Sequence, residues 1–84
     1  MLNIKILGPG CSNCKQVEAI SRKAVVMMGM EAQFEKITDW GEIKKYPIFA
    51  TPGLVINEKL VCAGRIPDQA EVTTWLVNAE MEAT

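Results

Sequence analysis

The sequence predicts an α/β fold of order β-α-β-α-β-β-α, a four-stranded mixed sheet with helices on both faces. Three observations carry that expectation. An apolar run at Leu2–Leu7 feeds directly into Gly8-Pro9-Gly10-Cys11-Ser12-Asn13-Cys14, and a helical pattern follows at once. Two later apolar runs are separated by the polar pair Asn57-Glu58, which reads as a hairpin. A right-handed βαβ unit makes the first two strands parallel, and the hairpin adds an antiparallel half.

Leu2, Ile4, Ile6 and Leu7 make a first strand that is mostly apolar and therefore central. Val17, Ile20, Ala24 and Met27 then recur at helical spacing, while Glu18, Arg22 and Lys23 fall off that face. Gly29 supplies a left-handed stop. Ala32–Ile37 alternates as a short strand with Phe34 inward. Asp39 followed by Glu42 is a capping-box spacing, opening a short helix through Ile43 to Tyr46 that Pro47 ends. Gly53–Ile56 and residues 60–63 are the hairpin strands. Asp68 and Glu71 repeat the capping-box spacing ahead of Val72, Trp75, Leu76 and Ala79, an apolar face at i, i+3, i+4 and i+7. Residues 80–84 are expected to fray.

A chain of 84 residues has room for one core, so residues 1–84 are expected to form a single domain. The net charge is −1, and no run of like charges exceeds the pair Lys44-Lys45. Neither nucleic acid nor an anionic membrane is an expected partner. No apolar stretch approaches the roughly 18 residues of a membrane span. The N-terminus lacks the basic-then-apolar pattern of a secretory signal. A cytoplasmic monomer is the expectation. Three cysteines are too few and too odd for a secreted disulfide scaffold, and suit thiol chemistry or metal binding better. The chain has no histidine, which removes Ser/His and Cys/His catalysis and any Cys/His zinc site.

The chemistry concentrates at Cys11 and Cys14. A tight Gly/Pro loop delivers Cys11 to the N-terminal end of a helix, where unpaired N–H groups and the helix dipole favour a thiolate. Cys14, one turn on, is within reach of Cys11, and Lys15 adds a nearby positive charge. In this strand–helix context the pair reads as a redox dithiol needing no cofactor. Two rival readings use the same thiols: soft-metal binding of Cu(I) or Zn(II), and a cluster or zinc shared between two chains. Metal chaperones with this spacing usually place Met two residues before the first cysteine, where this chain has Pro9. They also lack a third helix and the Thr51-Pro52 step.

The motifs together resemble the small prokaryotic redox-active disulfide proteins of the thioredoxin superfamily, over nearly the whole chain. The resemblance rests on Gly8 through Cys14, on Ile37-Thr38-Asp39, on Thr51-Pro52-Gly53-Leu54-Val55-Ile56-Asn57, and on Gly64-Arg65-Ile66-Pro67. It implies a minimal thioredoxin-like fold and a dithiol–disulfide oxidoreductase. Cys11 would be the attacking thiol, Cys14 the resolving thiol, and Cys11–Cys14 the reversible disulfide. Gly10, Ser12, Asn13, Thr51 and Pro52 would meet the substrate, with a cis Thr51–Pro52 bond. Implied partners are disulfide-containing proteins or small disulfides and a reductase or thiol reductant.

The chain also departs from familiar relatives. Gly10 stands where typical thioredoxins have Trp, and Ser12-Asn13 replaces their Gly-Pro. Lys5 occupies the place of the buried acid that takes the resolving thiol's proton. Ala63-Gly64-Arg65 stands where glutaredoxins have a Gly-Gly pair. Elsewhere, Cys62 is expected to be a small core hydrophobe, and Met27, Met28 and Met30 to fill the core at a helix end. Trp40 and Trp75 are expected to be partly buried, and Arg65 to be solvated in its loop.

Overall fold

The computed structural model describes residues 2–8 and 12–82. The elements are β1 (Leu2–Leu7), α1 (Ser12–Met28), β2 (Ala32–Ile37), α2 (Trp40–Ile43), β3 (Gly53–Ile56), β4 (Lys59–Ala63) and α3 (Gln69–Glu82). The strands form one sheet in the order β2-β1-β3-β4. β1 runs parallel to β2, with Leu2 opposite Ala32 and Leu7 opposite Ile37. It runs antiparallel to β3, with Leu7 opposite Gly53, and β3 pairs antiparallel with β4.

The period-2 alternation of β1 sorts its side chains onto two faces. Leu2, Ile4 and Ile6 join Leu54 and Ile56 on the face covered by α1 and α3. Val17, Ala24, Val72 and Leu76 complete that core, each with 1 % exposure or less. Full burial of a valine or leucine side chain stabilises by roughly 1.5–3 kcal/mol. Leu7 and Val55 point the other way, where Ile43 of α2 covers them.

The turns follow local chemistry. Gly29 has φ +67° at the end of α1, the left-handed conformation that stops a helix. Asn57 and Glu58 both have positive φ, the two-residue hairpin geometry that matches strand twist. Asn57 is fastened to β1: its side-chain oxygen accepts from the Asn3 N–H at 2.9 Å, and its own N–H donates to the Asn3 carbonyl at 2.7 Å.

The two capping-box spacings behave differently. At α3 the box forms: the Glu71 N–H donates to Asp68 Oδ1 at 2.8 Å, and the Asp68 N–H donates to Glu71 Oε1 at 3.3 Å. At α2, Asp39 is the N-cap but makes no side-chain cap bond. That helix ends at Ile43 rather than running to Tyr46 and Pro47. Four residues offer too few intrahelical bonds to hold the box in place.

Met27 also departs from expectation. The buried stripe of α1 runs through Cys14, Val17, Ser21, Ala24 and Val25, so Met27 lies outside it and is exposed, as is Met28. Of the three methionines, Met30 packs against the core. Ser21 is tolerated in the core because its hydroxyl donates to the Val17 carbonyl at 2.8 Å. Among the described residues, no helix is long and apolar enough to cross a membrane.

Candidate active site

The site lies where β1 and β2 end and α1 begins. The Gly8 N–H donates to the Ile37 carbonyl at 2.9 Å, carrying the parallel ladder one residue past β1. Cys11 and Gly10, the expected nucleophile and one expected substrate contact, lie outside the described residues, and with them the Cys11–Cys14 pairing. Cys14 sits in the first turn of α1 and is only 5 % exposed, whereas Ser12 and Asn13 are exposed. The helix therefore turns Cys14 inward and presents the two intervening residues to solvent.

Gly8 is required by the thiol. A Cβ at position 8 would collide with Cys14 Sγ and would stand 3.8 Å from the Thr51 Cβ. One small residue thus brings together the end of β1, the Cys14 thiol and the loop before β3. In that loop the Thr51–Pro52 peptide bond is cis. Pro52 is buried, and its carbonyl accepts from the Gly64 N–H at 2.9 Å, which ties the loop to the end of β4.

A cavity of about 40 Å³ opens beside Cys14, lined by Ile6, Gly8, Cys14, Lys15, Glu18, Lys36 and Thr38. It has room for about one water. Glu18 is the acid in that lining, and Lys36 Nζ lies 3.1 Å from its Oε1. Arg22 Nε donates to Glu18 Oε2 at 3.0 Å. Burial raises the Glu18 carboxyl, but the bonds from Lys36 and Arg22 outweigh it and leave the group below the usual carboxylate range. The Glu18 side chain is 15 % exposed and stays ionised.

Lys5 serves elsewhere. Its partner across the ladder is Val55, on the α2 face, so it points away from Cys14. Lys5 Nζ donates to Glu58 Oε1 at 2.6 Å and to Tyr46 Oη at 3.1 Å. Tyr46 Oη in turn donates to Glu58 Oε2 at 3.0 Å. The bonds to Glu58 and then Tyr46 hold the ammonium above its ordinary value.

Cys62 is buried in the core it shares with Cys14, and its thiol lies 3.7 Å from the Arg65 carbonyl. Burial pushes that thiol up, Arg65 pulls it down in part, and Glu71 raises it. Arg65 is exposed in its loop, as expected, and there grips Glu71 with two bonds of 2.8 and 2.6 Å. Trp40, expected to be partly buried, is exposed beside the more exposed Phe49. These two rings flank a groove of about 180 Å³ that Ile43, Lys44, Ile48, Ala50 and Thr51 complete. Sequence reading missed Glu18, Lys36, Trp40 and Phe49 at the site, because each arrives there through tertiary packing. Among the described residues, no cluster of three or more Cys, Asp or Glu could hold a metal ion.

A buried half of a C-x-x-C pair at a helix start, packed under the end of the central strand of a β2-β1-β3-β4 sheet, defines a small thioredoxin-like protein. Comparison with known proteins agrees. The thioredoxin domain family matches residues 2–77. A thioredoxin of Methanothermobacter thermautotrophicus is 38 % identical over 72 residues, covering 86 % of this chain and 94 % of that relative. A thioredoxin of Methanocaldococcus jannaschii is also 38 % identical over 72 residues, covering 86 % of this chain and 83 % of the relative. The chain belongs to the thioredoxin domain family, a family of thiol–disulfide oxidoreductases.

Proposed function

We propose that this protein reduces disulfides with the Cys11/Cys14 dithiol, Cys11 attacking and Cys14 resolving. The observation that carries the reading is the inward, Gly8-covered position of Cys14 in the first turn of α1. A thiol held there is poor at meeting a bulky substrate and suited to attacking a sulfur already bound at the neighbouring cysteine. The Cys11 thiolate attacks one sulfur of the substrate disulfide, and the other sulfur leaves and takes a proton. Cys14 then loses its proton and attacks the Cys11 sulfur, so the second substrate sulfur leaves as a thiol. The substrate gains two electrons and two protons, and the protein is left with a Cys11–Cys14 disulfide. A dithiol or thiol reductant must reopen it.

Disulfide-bearing polypeptides are the preferred substrates in this reading. The apolar groove beside Thr51, flanked by Trp40 and Phe49, supports it, since a small disulfide needs no such surface. Gly10, Ser12, Asn13, Thr51 and Pro52 are the substrate-contact residues in this reading. The protein works as a monomer in the reducing cytoplasm, where a dithiol can be recycled. Metal or cluster binding by the same thiols is not favoured, given the family to which the chain belongs.

The test is trapping. Cys14→Ser protein should accumulate disulfide-linked adducts from a lysate, because a mixed disulfide on Cys11 loses its intramolecular release. Cys11→Ser should not. Equal adduct levels in the two variants would reverse the roles or remove the dithiol from catalysis.

A further inference from the structure

The cavity beside Cys14 contains an ion-pair cluster that the dithiol chemistry above does not use. Glu18 and Cys14 are four residues apart on α1, so they are neighbours on one helix face, with Cβ atoms about 5–6 Å apart. Lys36 reaches Glu18 from β2, across the cavity both share with Cys14. Arg22 holds the other carboxylate oxygen and stacks its guanidinium 4.4 Å from the Phe34 ring centre. Glu18 is thereby clamped from two sides. Lys5, in the place where relatives carry a buried acid, is engaged on the opposite sheet face.

Among the described residues, three elements line the cavity beside Cys14. α1 brings Lys15 and Glu18, β2 brings Lys36 and Thr38, and β1 brings only Ile6 and Gly8. α3 contributes Val72, Leu76 and Ala79 to the core, β3 contributes Leu54 and Ile56, and β4 contributes the Cys62 thiol. Among the described residues that line the cavity, two lysines and one carboxylate bring ionised charge to Cys14. Glu18 is the negative member, and its pairing with Lys36 cancels a cation that would otherwise favour the thiolate.

We propose that Glu18, through its ion pair with Lys36, is the positioning residue that sets how readily Cys14 gives up its proton, and so paces release of the mixed disulfide. The proposal rests on the dithiol reading above. When the disulfide is open, the carboxylate keeps Cys14 a thiol and leaves attack on substrate to Cys11. When Cys14 must attack, its proton leaves through the cavity that Glu18 lines.

The charges make opposite predictions for the two partners. A nearby negative charge disfavours the thiolate and a positive one favours it. The measurement is the pH dependence of Cys14 alkylation in Cys11→Ser protein, read by peptide mass so that Cys62 is counted separately. In that background Glu18→Gln should lower the midpoint by roughly half a unit to one unit, and Lys36→Met should raise it by a similar amount. The Glu18→Gln/Lys36→Met double variant should return close to the parent, and Glu18→Asp, which keeps the charge, should stay there.

With Cys11 restored, Glu18→Gln should speed mixed-disulfide release at neutral pH roughly two- to threefold. The gain is below the rise in thiolate because a more acidic thiol is a weaker nucleophile. Single variants that both move the midpoint the same way, or leave it in place, would overturn the proposal. Should Glu18→Gln fail to fold, Lys36→Met and Glu18→Asp still decide it. Opposite shifts in a protein that traps no adducts would sustain the cluster's role and discard the oxidoreductase reading.

Discussion

Gly8 and Cys14 touch across the start of α1, and the fit leaves no space at position 8 for a side chain. The consequence is a constraint on the sequence that the thiol itself imposes. The second glycine of interest, Gly29, is constrained differently: it has φ +67° but nothing within 4 Å of an added Cβ. One position is held by packing and the other by backbone conformation.

Gly8→Ala should therefore injure the site as well as the fold. The new methyl group overpacks against Cys14, which costs typically about 1–3 kcal/mol. Urea unfolding of the reduced protein should show that loss, and the rate of disulfide exchange should fall with it. Gly29→Ala is the control. It should cost about 1–2 kcal/mol for a left-handed alanine while leaving exchange at the parental rate.

The two aspartates at helix starts should differ in worth. Asp68→Ala removes the formed cap bond from the Glu71 N–H to Asp68 Oδ1, keeps the backbone N–H that Glu71 accepts from, and should destabilise by about 1 kcal/mol. Asp39→Ala removes a residue that makes no side-chain cap bond, and should change stability by less than about half of that. Paired denaturation curves under one buffer would settle the ranking, and an equal cost would contradict it.

Acid should expose the Arg65–Glu71 pair. The bonds from Arg65, then the Asp68 N–H, hold the Glu71 carboxyl down to about 2 from a usual 4.5. A depressed folded value means the contribution is fully present above the unfolded value. It is lost as pH falls from about 4.5 through about 2. Glu71→Gln should flatten the stability profile in that window and leave its slope near neutrality unchanged. The pair is exposed, so about 1 M salt should shrink the difference.

Much of the fold is legible in the linear sequence because it depends on short-range patterns. The alternation at Ala32–Ile37, the Asn57-Glu58 turn and the Asp68/Glu71 box all work within a few residues. The failures mark where local chemistry is outweighed. Asp39/Glu42 has the same spacing as Asp68/Glu71, yet the four-residue α2 leaves its box unformed. Met27 fits the helical period of α1, but the face that meets α3 and the sheet drifts away from it. Glu18 looks like a solvated helix residue until the parallel β1–β2 pairing brings Lys36 over it. At the site itself, Cys14 and Pro52 are readable as motif residues, whereas Gly8, though part of the same motif, shows its reason only in the folded contact with Cys14.

The separation of Lys5 from Cys14 by the sheet has a wider meaning. The Lys5–Tyr46–Glu58 network fastens the segment after α2 to the hairpin turn on one side, while the Glu18–Lys36–Arg22 group lies on the other, where Glu18 and Lys36 line the cavity beside Cys14. The strands between them act as an insulating partition, a layer of apolar side chains with no ionised group crossing it at Ile4, Ile6, Leu7 or Val55. A protein so divided can change the chemistry of its thiols by substitutions on α1 and β2 alone. The scaffold beneath α2 keeps its own charges, and its strength, through every such change.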